Sequence, residues 1–371
     1  MEQQLFEQIQ LLRKQYPDLV VVIYGPTATG KSWLSLRLAD LFVKNFSLSS
    51  WAERSGVERR TEGSTLGVSF INNNKGSLHK VGMTRNNWWQ IEIISADSRQ
   101  VYRYMDIGTD KISQADREKV PHYGIDLIDP DDEYTAHRRQ QDTKKWISDI
   151  QSRGNLPVIV WGTGLYIDTI YKNFSLPPDV KANRERRAEL EQLDQDQPWY
   201  IRNLLNSFDP DTAAEFHPKN TRYIIRAIEM YEQTGIPKSV LVRENPVDHP
   251  LLMISLTRDV DTANKLIHQR VEEMIERGLV QEVQWLLDRG YSPDLQSMNG
   301  IGYRQTVEVL SDKFWVLSEE ELTTYNSTLI TSITLASVQY AKRQRTRFRR
   351  YEKDAREHPK DRVFYMQIDM W

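Results

Sequence analysis

The segment that most restricts how this chain can fold is "LVVVIYGPTATGKSWLSLRLADLF", residues 19–42. Its first six residues, Leu19 to Tyr24, form a short Val- and Ile-rich run that stops at a glycine, the pattern of a buried strand. The residues from Trp33 onward space Leu and Phe at helical intervals. Between them Gly25 to Ser32 read G-x-x-x-x-G-K-S, a phosphate loop in the strand–loop–helix setting that gives the pattern its meaning. Gly25 and Gly30 let the backbone turn the N–H groups of the loop, Thr27, Ala28 and Thr29 included, around an anion. Lys31 adds a point charge and the following helix N-terminus adds its dipole. Ser32 is placed to set its hydroxyl on a magnesium ion, Mg²⁺, that bridges the phosphates. The pattern does not say whose phosphates these are.

A loop of this kind belongs to α/β architecture, and the rest of the chain repeats the alternation. Apolar runs predict strands at Leu19–Tyr24, Ile91–Ser95, Leu156–Trp161 and Leu251–Leu256. Helices are expected from Ser32, over Ala136–Gln151, around Arg226–Gln233, and as a pair over Lys265–Leu287 closed by Gly278 and Gly290. The expected fold is therefore a P-loop NTPase-like parallel sheet flanked by helices, with a small helical domain inserted. A length of 371 residues suits two domains. The core is assigned to 1–44, 91–175 and 249–371, and the helical insert to 176–248. Residues 45–90, rich in Ser, Asn and Gly, read as an irregular, partly disordered insertion whose Trp88 and Trp89 dock it. No apolar run approaches a membrane span, and the first residues lack a signal-peptide core, so a cytoplasmic monomer is the expectation. The absence of cysteine excludes disulfides and thiolate nucleophiles.

A nucleotide-hydrolysing P-loop protein carries a second apolar run ending in a metal-holding acid. The nearest candidate here is "IEIISADSRQVY", where Asp97 follows the run Ile91–Ser95. Asp97 reads as a metal-shell acid, a general base or a cap over Arg99 and Gln100. Its place at the carboxyl end of a parallel strand favours catalysis. A third strand-to-glycine turn, "LPVIVWGTGLY", lets a ligand approach the backbone and offers the Thr163 hydroxyl. Net charge is only −3, yet "YAKRQRTRFRR", Tyr340 to Arg350, holds six basic residues and no acid. That block is either a solvated helix face or a phosphate-contacting surface. Its interleaved Tyr340 and Phe348 tilt it toward RNA.

Taken in order, "GPTATGKS", "SADSRQVYRYMDIGTDK", "VPHYGIDLIDP", "GTGLY", "TRYIIRAIEMYEQTG", "QRVEEMIERGLVQEV", "GIGYRQ" and "QYAKRQRTRFRR" resemble the tRNA dimethylallyltransferase, or tRNA isopentenyltransferase, family. The resemblance runs from about Leu19 to Tyr351 and omits residues 45–90. It implies transfer of a five-carbon prenyl group from dimethylallyl diphosphate to the exocyclic amine of the adenosine 3′ to a tRNA anticodon. The loop then grips the donor's diphosphate. Asp97 is implied as the proton acceptor, Arg270 as a diphosphate-stabilising arginine and Thr163 as a threonine beside the adenosine. Contacts to tRNA are implied for Asp97, Ser98, Arg99 and Gln100, for Arg222, Tyr223 and Arg226, and for Gln339, Lys342 and Arg343, with the helical insert taking part.

Several positions depart from the family pattern. Trp161 stands where a glycine is usual, Tyr123 where a second histidine is, and Gly124 where an apolar residue is. Thr221 and Tyr223 replace a proline and an arginine, and Leu266 replaces an arginine. An adenylate prenyltransferase acting on free nucleotide is the nearest alternative. A P-loop kinase or ATPase is the alternative from another class.

Overall fold

The computed structural model describes residues 2–55, 69–71, 90–177, 180, 183–217, 219–311 and 319–370. Seven strands join in one sheet: β1 (Val20–Tyr24), β2 (Ser69–Ile71), β3 (Ile91–Ser95), β4 (His122–Tyr123), β5 (Leu156–Trp161), β6 (Leu251–Arg258) and β7 (Val363–Met370). Their order is β2-β7-β6-β1-β5-β3-β4, and every pair is parallel except β2 with β7. Strand β1 lies at the centre with all five residues buried, which is why its sequence is continuously apolar and does not alternate. Its Tyr24 is level with Trp161 of β5 and Ser255 of β6, and Ser95 of β3 is level with Val160. The loops leaving β1, β3, β5 and β6 therefore open at one edge of the sheet, where α/β proteins bind their ligands.

The chain divides into two compact units. One comprises Met1–Tyr134, Asp142–Ile167 and His249–Trp371, the other Thr135–Gln141 and Asp168–Asp248. In the first, helices α1 (Glu2–Gln15) and α2 (Lys31–Ser55) cover a face of the sheet. Leu5, Phe6 and Ile9 of α1 and Leu34, Leu38 and Phe42 of α2 share a core with Val21 and Ile23. Helix α2 runs on to Ser55, and β2 pairs with β7, so 45–55 and 69–71 are not irregular as the composition suggests. Residues 56–68 and 72–89, with Trp88 and Trp89, lie outside the described residues.

Three further helices, α3 (Gln114–Lys119), α4 (Ala136–Ser152) and α5 (Gly164–Tyr171), punctuate the chain up to the insert. The second unit holds α6 (Arg184–Asp196), α7 (Tyr200–Phe208), α8 (Pro210–Glu215), α9 (Thr221–Thr234) and α10 (Lys238–Leu241). Leu190, Ile201, Leu205, Ile224 and Ile228 form its small core, with Phe208 stacked on Tyr231 at 3.9 Å.

Back in the first unit come α11 (Val260–Glu276), α12 (Leu279–Asp288), α13 (Tyr303–Ser311) and α14 (Glu319–Glu357). Asp259 caps α11, and Gly278, at φ 97, makes the left-handed turn into α12. Helix α14 spans 39 residues, which is about 58 Å at 1.5 Å per residue. Ala341, Gln344, Phe348, Tyr351 and Ala355 give it one buried stripe at helical spacing. The rings of Phe348 and Tyr351 meet Tyr24, at the end of β1, at 5.5 and 5.7 Å.

Candidate active site

The phosphate loop is held from several sides. A Cβ on Gly25 would lie 2.6 Å from the Leu256 carbonyl oxygen, so only glycine lets the chain leave β1 beside β6. Ala28 and Gly30 take left-handed conformations, at φ 62 and 84. The buried Thr29 hydroxyl donates to the Pro26 carbonyl at 2.8 Å, and the Thr27 N–H donates to Oε1 of Gln344 at 2.9 Å. The Lys31 ammonium also donates to the Pro26 carbonyl, at 2.7 Å. Withdrawal from solvent and the charge of Arg270 push the Lys31 pKa down to about 8, while Asp97 and Asp110 act the other way. Ser32 stands exposed in the first turn of α2, open to an incoming ion.

Asp97 follows β3 at the same edge. One of its oxygens accepts the Arg99 N–H at 2.7 Å, which is the capping bond foreseen from sequence, although a turn follows it and not a helix. The other oxygen faces Gly162, 3.4 Å from where a Cβ there would sit. The absence of a side chain at Gly162 is thus what keeps space in front of the carboxylate. Thr163 belongs to the same gap: its hydroxyl donates to Ser98 at 3.4 Å. Burial pushes the Tyr340 phenol pKa upward, and the nearby Asp97 charge adds to the shift. Arg99 is tied to the Gln296 carbonyl at 2.5 Å. Gln100 is engaged at both ends, accepting from Ser95 at 2.8 Å and donating to the carbonyls of Thr109 and Asp110. Its side chain therefore braces the loop.

Arg270 reaches the site from α11. It donates to Asp110 at 3.3 Å, while Arg277, two turns on, lies 4.0 Å from the same carboxylate. The Arg270 Nε is buried and has no hydrogen-bond partner among the described residues. A buried donor without an acceptor is costly, and an anionic ligand would relieve it. Loop 96–111 that carries Asp97 and Asp110 is fixed by two devices. Lys111 binds the Tyr102 carbonyl, Asp106 and Asp126 at 2.6–2.7 Å. Glu282 of α12 accepts the N–H groups of Asp106, Ile107 and Gly108 together with the Tyr303 hydroxyl.

The remaining expected residues fall in two places. On α14, Gln339, Lys342 and Arg343 are exposed, and the Arg343 guanidinium lies 6.0 Å from the Tyr340 ring centre. Arg222, Tyr223 and Arg226 belong to the second unit, at the start of α9. Arg222 is exposed, and Tyr223 is 60% exposed. Arg226 is bound inward, to buried Glu229 at 3.2 Å and the Val180 carbonyl at 2.7 Å, so it serves its own unit's fold. Of Trp161 only the backbone is described. Sequence reading overlooked Glu282 and Tyr303, and took Gln344 only as the last residue of the basic motif Gln339 to Gln344. For Gln344 a signal existed, since it is the lone amide in the apolar stripe Ala341–Phe348–Tyr351.

A family model described as IPP transferase matches residues 100–351. The tRNA dimethylallyltransferase of Thermotoga neapolitana is 44% identical over 223 residues, which cover 60% of this chain and 72% of the relative. The crystal structure of the tRNA isopentenylpyrophosphate transferase of Bacillus halodurans superposes with a TM-score of 0.53 at 31% identity, covering 95% of this chain and 90% of that one. A eukaryotic dimethylallyltransferase acting on tRNA gives 0.59 at 26% identity, covering 88% and 68%. This chain belongs to the IPP transferase family. It is an enzyme of the prenyltransferase class, and no helix among the described residues is long and apolar enough to cross a membrane. The family match includes Arg270 and the basic stripe of α14, while the phosphate loop and Asp97 precede the matched span.

Proposed function

We propose that this enzyme transfers a dimethylallyl group from dimethylallyl diphosphate to the exocyclic amine of the adenosine 3′-adjacent to the anticodon of tRNA. One observation carries the reading: a phosphate loop and Arg270 lie at the same sheet edge as Asp97, whose second oxygen faces a glycine-lined gap. The allylic carbon–oxygen bond breaks as the nitrogen–carbon bond forms, and the amine proton passes to Asp97. Negative charge grows on the departing pyrophosphate, where loop N–H groups, Lys31 and Arg270 stabilise it. Thr163 and Ser98 line the adenosine side of the gap.

The donor set fits a hard divalent cation. Among the described residues no three His, Asp or Glu side chains are grouped so as to hold a metal ion. Mg²⁺ commonly takes one or two protein oxygens, substrate phosphates and water. Ser32 is the residue proposed to hold it, and the bound ion would neutralise charge on the diphosphate.

The exposed cations on α14 favour a polyanionic acceptor over free adenylate. Nucleoside mass spectrometry after incubating the enzyme with dimethylallyl diphosphate and either unmodified tRNA or AMP tests this. Isopentenyladenosine in the tRNA is the expected product. Prenylated AMP with unmodified tRNA would overturn the choice of acceptor.

A further inference from the structure

We propose that Gln344 is a positioning residue that locks the phosphate loop to the turn in front of Asp97, and that it does not contact RNA. It lies on a helix whose exposed cations invite an RNA-binding reading, yet its own side chain is only 5% exposed. An amide placed in an apolar stripe is tolerated only when both its ends are bonded. Here Oε1 accepts the Thr27 N–H at 2.9 Å and Nε2 donates to the Gly162 carbonyl at 2.5 Å. Two tyrosines of the same helix act alongside it. Tyr340 donates to the Gly162 carbonyl at 3.3 Å, and Tyr351 to the Gly164 carbonyl at 3.0 Å.

The two groups that Gln344 joins come from different strands. Thr27 follows β1 in the loop that grips the prenyl donor, and Gly162 follows β5 in the turn that receives the acceptor base. The Gln344 nitrogen and the Asp97 carboxylate lie 3.6 and 3.4 Å from the same point, the empty Cβ position of Gly162. One side chain thus sets the spacing between the halves of a two-substrate site, where small misplacements slow a displacement sharply. This rests on the functional reading above.

Gln344→Met keeps the length and removes both hydrogen bonds, and Gln344→Glu keeps the shape and removes the donor to Gly162. Two measurements decide. Amide hydrogen exchange of the loop peptide should speed up in Gln344→Met, since Thr27 loses its acceptor, and this holds whatever the enzyme's substrate. Transfer should lose about 100-fold in kcat in Gln344→Met and at least about tenfold in Gln344→Glu. The Kd for an anticodon stem-loop RNA should stay within about threefold. Unchanged exchange in the loop, wild-type kcat in either variant, or a raised RNA Kd with kcat intact overturns the proposal. Should Gln344→Met not fold, the kcat and RNA Kd of Gln344→Glu decide. Should the wild type not prenylate tRNA, the functional reading fails while the exchange experiment still judges the tie.

Discussion

Lys31 gives up its proton far more readily than a free lysine, and the reason lies in its neighbours. Burial and then Arg270 oppose its charge, and Asp97 and Asp110 only partly compensate, leaving a pKa of about 8. The folded chain releases this proton near pH 8 while an unfolded chain keeps it to about 10.5, so this residue favours folding increasingly as pH rises through that window. Binding runs the opposite way, because a diphosphate needs the charged lysine. The kcat/KM for dimethylallyl diphosphate should fall above about pH 8, and Lys31→Arg should remove that limb even if overall activity is low. At Asp97 the expected split is different. Asp97→Ala should lower kcat by a factor of about 10² or more and leave the Kd for tRNA near the wild-type value. Near-normal turnover would remove Asp97 as the proton acceptor. Both residues were legible in the sequence, because a motif and a strand end announce them. The bonds by which Gln100 braces its loop were not legible, since adjacency along a chain does not say which way a side chain faces.

Among elements, the long loop after β3 depends on α12. Glu282 accepts three successive backbone N–H groups and a tyrosine hydroxyl. Glu282→Ala leaves several of these donors unpaired, and a stability loss of about 2–4 kcal/mol is expected. Urea unfolding measures it, and a midpoint equal to wild type would show the loop standing without that cap. Catalysis should suffer as well, since the same loop carries Asp97 and Asp110. Strands β1, β3, β5 and β6 could be read in advance because burial on both faces forces continuous apolar sequence. Strand β7 could not. "VFYMQIDM" mixes Gln and Asp with apolar residues, and its pattern of burial is correspondingly broken. Glu282 was equally hidden, because the N–H groups it serves lie more than 170 positions away.

Across the whole molecule the basic side chains sort by what they touch. Arg222 is exposed whereas Arg226 holds Glu229, so sequence proximity conceals different work. Arg222→Ala should weaken tRNA binding and reduce its salt slope by about one, with the unfolding temperature unchanged. Arg226→Ala should lower stability by about 1–3 kcal/mol, because Glu229 is almost fully buried and loses a partner. Equal effects of the two substitutions on RNA binding would contradict this division. The β6–β7 pairing has a consequence in time. Leu251 is level with Val363, so a stretch of chain that holds four helices must be closed into a loop for the two strands to meet. Closing so long a loop adds little to the equilibrium cost but slows the search. Met370 of that late strand lies 3.0 Å from where a Cβ on Gly30 would be. A refolding chain should therefore regain helical signal early and the final setting of its phosphate loop late.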